Sequence, residues 1–184
     1  MARVLVPLAQ GCEELEAVTV IDLLRRAGIE VVSAALDSAP VVASRGVVLL
    51  PDTELGRVQD EIFDMIVLPG GLPGADHLAA DKRIRDLLRK MAAQGHYTAA
   101  ICAAPKVLAA AGLLDGRRAT AYPGVLQGLS NPKIEIDGGA VVRDGTVITS
   151  RGPGTAMDFA LELIALLAGE EKRDEVARGL VRAA

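Results

Sequence analysis

Tryptophan is absent from the chain, and two tyrosines and two phenylalanines are its only aromatic residues. A protein that stacks nucleic-acid bases needs aromatic platforms, and one that grips phosphates needs an excess of base. Here 20 Lys and Arg stand against 24 Asp and Glu, a net charge of −4, so specific nucleic-acid binding is not expected. Two cysteines, Cys12 and Cys102, are too few for a disulfide framework. Two histidines at scattered spacing do not complete a zinc site with them. No apolar run reaches the ~18 residues of a membrane span, and the run after Met1 is too short for a signal peptide. A phosphate-binding GxxxxGK[ST] is lacking, and Gly152-x-Gly154 is followed by Met157 where a dinucleotide fingerprint needs glycine. These absences predict a soluble, cytoplasmic protein with no cofactor, no metal and no membrane contact, folded as one domain over 1–184.

What is present is aliphatic. With 51% hydrophobic residues, the interior must be packed from Val, Ile, Leu and Ala, which suits a parallel sheet covered by helices on both faces. Aliphatic runs at 3–9, 29–36, 64–68 and 97–101 read as buried strands. Helical periods lie between and after them: at 15–27, closed by Gly28; at 81–94, where Asp81 can cap a stripe of Ile84, Leu87, Leu88 and Met91; and at 105–111. Segment 41–50 holds two short apolar pieces about Ser44-Arg45-Gly46, an excursion or hairpin. Asp144-Gly145 between apolar triplets is a hairpin signal. Beyond it, 155–167 reads as a helix with Thr155 and Asp158 as a capping box, and 170–181 as a charge-rich terminal helix. The β-α-β rhythm predicts an α/β fold, a flavodoxin-like, doubly wound, mostly parallel sheet with right-handed crossovers. Such sheets bind ligands at the carboxyl ends of their strands. That directs attention to Gln10-Gly11-Cys12, Pro69-Gly70-Gly71, Cys102 and the segment 150–154.

Cys102 stands between a strand and a helix, in Ala100-Ile101-Cys102-Ala103-Ala104-Pro105. Pro105 suits a first helical position, and small neighbours allow an abrupt turn, the logic of a nucleophile elbow. A buried, inert cysteine is the alternative; the strand-to-helix placement favours the nucleophile. A thiol of pKa ~8.5 is only a few per cent thiolate at pH 7, and lowering it by about three units takes roughly 4 kcal/mol. A helix N-terminus supplies at most about 2 kcal/mol. Some further donor must face the sulfur.

Glu16 is the candidate. At ~100° per residue, Ala17, Val20, Ile21, Leu23, Leu24 and Ala27 share one arc of the first helix, and Glu16 falls inside it. Burial raises a carboxyl pKa, so Glu16 can stay protonated and donate. The sign matters, because a neutral carboxyl lowers the thiol pKa whereas an ionised one raises it. Glu13 and Glu14 need no such role, since acids favour helix N-termini. The N–H groups of Gly70-Gly71 and Ala103 could form an oxyanion hole, although a plain glycine-rich turn reads equally well. Cys12 reads as a small loop residue rather than a redox or metal companion. Arg45 and Arg151 belong to the pocket, to a subunit seam or to open surface.

Four motifs in order, Gly11-x-Glu13-Glu14-x-Glu16-Ala17, Ile66-Val67-Leu68-Pro69-Gly70-Gly71, Ala100-Ile101-Cys102-Ala103-Ala104-Pro105 and Thr149-Ser150-Arg151-Gly152-Pro153-Gly154-Thr155, together resemble the ThiJ/PfpI superfamily. Within it they resemble the YajL-like branch, close to the human deglycase linked to Parkinson disease. The resemblance implies a flavodoxin-like homodimer and a reactive, oxidisable Cys102 bonded to protonated Glu16, with Gly71 and Ala103 as oxyanion donors. It implies glyoxalase- or deglycase-type action on methylglyoxal and glycation adducts through a hemithioacetal, with Glu16 shuttling protons. The alternative it offers is a redox-sensing chaperone whose Cys102 becomes a sulfinate. Tyr122 stands where the human relative has histidine, as an aromatic residue does in the YajL branch, and joins Gly70, Arg45 and Arg151 as candidate pocket residues. Ala103 stands where the protease-like branch has histidine, which argues against peptidase activity.

Overall fold

The aliphatic runs become the inner strands of a seven-stranded sheet. A computed structural model describes residues 1–37 and 40–181. The sheet follows the order β10-β11-β7-β6-β1-β2-β5, with β1 at Arg3–Leu8, β2 at Glu30–Ala35, β5 at Thr53–Glu54, β6 at Met65–Leu68, β7 at Tyr97–Ile101, β10 at Val141–Asp144 and β11 at Val147–Ser150. Every neighbouring pair is parallel except β10 with β11, the hairpin about Asp144-Gly145. Two small pairs lie outside it: β3 (Val41–Val42) antiparallel to β4 (Val48–Leu49), and β8 (Arg118–Ala119) parallel to β9 (Glu135–Ile136).

Alternation along the strands divides the core into two layers. Val4, Val6 and Leu8 of β1 face one side, where α1 (Glu14–Arg26) and α6 (Ala156–Ala168) pack, with Val176 of α7 (Glu170–Gly179) beneath them. Leu5 faces the other, covered by α2 (Leu55–Val58), α3 (Gly74–Ala80), α4 (Lys82–Ala93) and α5 (Pro105–Ala110). The expected doubly wound sheet with helices on both faces is the observed architecture. The predicted Asp81 cap is also present, its carboxylate accepting from the Arg83 N–H at 2.8 Å.

One local expectation is corrected. Thr155 does not cap α6 with its side chain. Its hydroxyl is committed to the preceding turn, 2.7 Å from Ser150 Oγ and donating to the Gly152 carbonyl at 3.0 Å. Pro153–Thr155 is a short 3₁₀ turn ahead of α6, because Thr155 finds its partners one turn too early to serve the helix.

From β1 the chain moves outward to β2 and β5, then returns to β6 on the other flank of β1. That reversal opens a crevice at the carboxyl ends of β1 and β6, where doubly wound sheets hold ligands. The loops after β1, β6 and β7 meet there. Since α1 carries Glu16 into that crevice, its packing sets the site. Leu24, fully buried in the α1–α6 layer, should lower unfolding free energy by about 2–5 kcal/mol when replaced by alanine. Urea denaturation with an unchanged m-value checks this.

Candidate active site

Cys102 follows β7 directly, and its backbone is held at φ +63. A side chain other than glycine is strained there by about 1–3 kcal/mol. Two hydrogen bonds keep it in place: its N–H donates to Ser150 O at 3.0 Å, and its carbonyl accepts from Tyr122 N–H at 2.9 Å. The expected elbow is therefore present. The residue is 9% exposed and forms the floor of an open cavity of about 330 Å³, whose walls are Glu13, Ser44, Arg45, Gly71, Leu72, Ala103, Tyr122, Val125 and Pro153.

The backbone N–H groups of Gly71 and Ala103 face the sulfur. Gly70 lies between Cys102 and Glu16: a Cβ there would stand 2.6 Å from Cys102 Cβ and 2.8 Å from Glu16 Oε2, so no larger residue fits. Gly71 adopts φ +87 and passes so close to Glu13 N and Gly11 O that a side chain is excluded there too. Absent side chains let three loops converge on one sulfur.

Glu16 is fully buried, on the apolar arc where the helical period places it. Its Oε2 accepts from Gly70 N–H at 2.8 Å, while Oε1 has no hydrogen-bond partner among the described residues. Burial lifts its pKa from 4.5 to about 7, against the hydrogen bonds of Gly70 N–H and the Cys102 thiol and with the charge of Glu13. The sulfur moves contrary to the sequence expectation. Burial first, then the charge of Glu16 and its hydrogen bond, push the Cys102 thiol up to about 12, while Gly71 and Ala103 pull it down. Period and spacing do not report how deeply the strand end is covered.

Cys102, Glu16, Gly70, Gly71 and Ala103 thus meet at one point, with Tyr122 and Arg45 on the cavity wall. Arg151 does not join them. It lines a separate space of about 170 Å³ with Asp137 and Gln127, its guanidinium 3.5 Å from Gly138 O. Cys12 is wholly buried, its thiol pushed up to about 12 by burial and then by the charge of Glu14. Neither His77, in α3, nor His96, after α4, lines the Cys102 cavity. Among the described residues, no group of three His, Cys, Asp or Glu gathers to hold a metal. Leu72 and Val125 carried no signal in the sequence. Ser44 and Pro153 lay within marked segments without being singled out. Glu14 stands in the first turn of α1 as expected, but it is only 9% exposed and its carboxylate also bonds to the turn at 43–47.

The model of the DJ-1/PfpI family matches residues 2–166. Protein dj-1beta of Drosophila melanogaster is 48% identical over 178 residues, 96% of this chain and 95% of that protein. Its crystal structure superposes with a TM-score of 0.95 at 47% identity, covering 100% of this chain and 99% of that one. The glutathione-independent glyoxalase DJR-1.2 of Caenorhabditis elegans is 36% identical, over 97% of this chain and 95% of that protein. A Toxoplasma gondii DJ-1 structure described as oxidized matches with a TM-score of 0.95 at 40% identity over the whole of both chains.

The raised Glu16 pKa has a consequence for stability. The folded chain keeps a proton there that the unfolded chain releases near 4.5, so stability falls as pH rises from about 4.5 to about 7. The full span is worth about 3 kcal/mol. In a Cys102→Ser chain, where no thiolate can exchange the proton, adding Glu16→Gln should remove that slope. Denaturation midpoints of the two variants across the window check this; parallel curves would contradict it.

Proposed function

The chain belongs to the DJ-1/PfpI family, and from that premise we propose that it is a cysteine-dependent enzyme acting on reactive carbonyls or their glycation adducts, in protection against carbonyl stress. The observation that carries this reading is the sulfur of Cys102, open to a cavity and faced by two backbone N–H groups and a buried carboxyl. A relative named as a glutathione-independent glyoxalase supports it.

The chemistry turns on one proton. With Glu16 ionised, its charge and its acceptance of the thiol hydrogen both oppose the thiolate. With the proton on Glu16, both oppositions vanish and the carboxyl O–H becomes a third donor to the sulfur, beside Gly71 and Ala103 N–H. The Cys102 thiolate then attacks the aldehyde carbon. A C–S bond forms, the C=O π electrons pass to oxygen, and Glu16 delivers its proton to give a hemithioacetal. The N–H groups of Gly71 and Ala103 receive the developing charge. Glu16, now a carboxylate, takes the proton from the carbon bonded to sulfur and returns it to the neighbouring carbonyl carbon, leaving a thioester that water cleaves to a hydroxy acid and the free thiol. Among the described residues the cavity wall has no histidine, so proton transfer rests on Glu16.

Such an enzyme works as a homodimer in the cytoplasm. Exposed Leu15 and Val18 on α1 and Val47 and Val48 at the start of β4 offer an apolar face that a second copy would cover.

A second reading uses the same sulfur. The neighbour described as oxidized favours a redox sensor in which Cys102 becomes a sulfinate and the protein protects others without turnover. Methylglyoxal consumption separates the two. We expect the wild type to turn it over, Cys102→Ser to abolish this and Glu16→Gln to slow it at least about tenfold. Undiminished activity in Cys102→Ser would refute the enzyme reading. No turnover in the wild type, with a mass gain of two oxygen atoms at Cys102 after mild peroxide, would favour the sensor.

A further inference from the structure

Ser44 and Arg45 line the Cys102 cavity from a turn rather than from the sheet or a helix. The turn is closed on itself, Ala43 N–H donating to Val47 O at 2.8 Å and Gly46 N–H to Ala43 O at 3.0 Å. Its attachment to the body of the protein is made largely by Glu14. One oxygen of that carboxylate accepts from Arg45 N–H at 2.9 Å and lies 3.5 Å from Val47 N. The other accepts from the Ser44 hydroxyl at 3.0 Å and lies 3.2 Å from Arg45 N. Ser44 N–H adds a bond to Cys12 O at 2.8 Å, and its hydroxyl also lies 2.7 Å from Glu13 Oε2.

Both oxygens of Glu14 are thus committed inward, and the residue is only 9% exposed. Burial pushes its carboxyl up, but the hydrogen bonds of its own N–H, Ser44, Arg45 and Val47 outweigh this and hold it below the ordinary range. A group so fully occupied has no lone pair for a substrate. What it controls is the placement of its neighbours, and Arg45, an exposed residue, lines the cavity.

We propose that Glu14 is a positioning residue, fixing the 43–47 turn so that the Arg45 guanidinium stands over the Cys102 cavity. The inference rests on reading Cys102 as the reacting thiol. It separates the two layers of the site: Glu16 governs the sulfur, and Glu14 governs the charge through which an electrophile approaches it.

Two alkylating probes of similar size, iodoacetate and iodoacetamide, test this without requiring turnover. Modification of Cys102 is followed by peptide mass in wild type, Glu14→Gln, Glu14→Ala, Arg45→Gln and the Glu14→Ala/Arg45→Gln pair. In Glu14→Ala the iodoacetate-to-iodoacetamide rate ratio should fall about threefold or more, as loss of a nearby unit charge requires. Arg45→Gln should show the same fall and the double variant no further fall, because both act through one group. Glu14→Gln should keep the ratio at or above wild type, since the amide oxygen still accepts from Arg45 N–H while a negative charge is gone. The iodoacetamide rate itself should stay within about twofold throughout. That is the readout a general loosening of the pocket would move. A ratio in Glu14→Ala at or above wild type, or an equal fall in both rates, would overturn the proposal. A wild-type Cys102 inert to iodoacetamide would instead overturn the reading of the thiol on which it rests.

Discussion

Two acids buried against each other cannot both be charged without great cost, and this constraint organises the site. Burial and the charge of Glu13 lift Glu16 to about 7 against the pull of the Cys102 thiol, while burial and the charge of Glu16 lift Cys102 to about 12. Between about 7 and about 12 the pair therefore holds one negative charge and one proton, and under the proposed function the location of that proton decides whether the sulfur attacks. Three backbone N–H groups are arranged around the pair, one on Glu16 and two on Cys102. The two on Cys102, with the field of the helix start at Pro105, act against the burial and the Glu16 charge that push its thiol up.

The fold exists around this pair in a specific sense. Glu16 comes from the helix after β1, Gly70 and Gly71 from the loop after β6, and Cys102 from the elbow after β7. These strands are adjacent because the winding of the sheet reverses at β1. Gly70 carries the tightest contact: any Cβ there would meet both the sulfur-bearing side chain and the carboxylate. The strain at Cys102 is sustained by bonds to β11 and to the segment before Pro123, so the elbow is braced from two directions.

Much of this was legible in the chain. The arc of α1 placed Glu16 among Leu23, Leu24 and Ala27 before any contact was known, because helical period reports which side is buried. The small residues flanking Cys102 and the pair Gly70-Gly71 marked turns where backbone must pass close. Less local properties were hidden. The upward push on the thiol comes first from burial depth, which depends on segments far apart in the chain. Arg151 is one residue past a strand that abuts Cys102, yet it lines another space, its guanidinium 3.5 Å from Gly138 O. Glu14 looked like ordinary helix-start chemistry because its partners, Ser44 and Arg45, lie some 30 residues downstream. Thr155 carried the letters of a cap but bonded backward to Ser150.

The claim that most depends on measurement is that the proton of this pair resides on the carboxyl. Thiolate ultraviolet absorbance followed against pH, with Cys102→Ser as the blank, reads it directly. The proposed function, in which a proton on Glu16 removes its opposing charge and its donor outweighs the burial that raises the thiol, predicts a wild-type midpoint well below the ordinary ~8.5 of a free thiol, and a midpoint at or above that value in Glu16→Leu, where burial persists without the donor. A wild-type midpoint at or above ~8.5, or one that Glu16→Leu leaves unchanged, would contradict it.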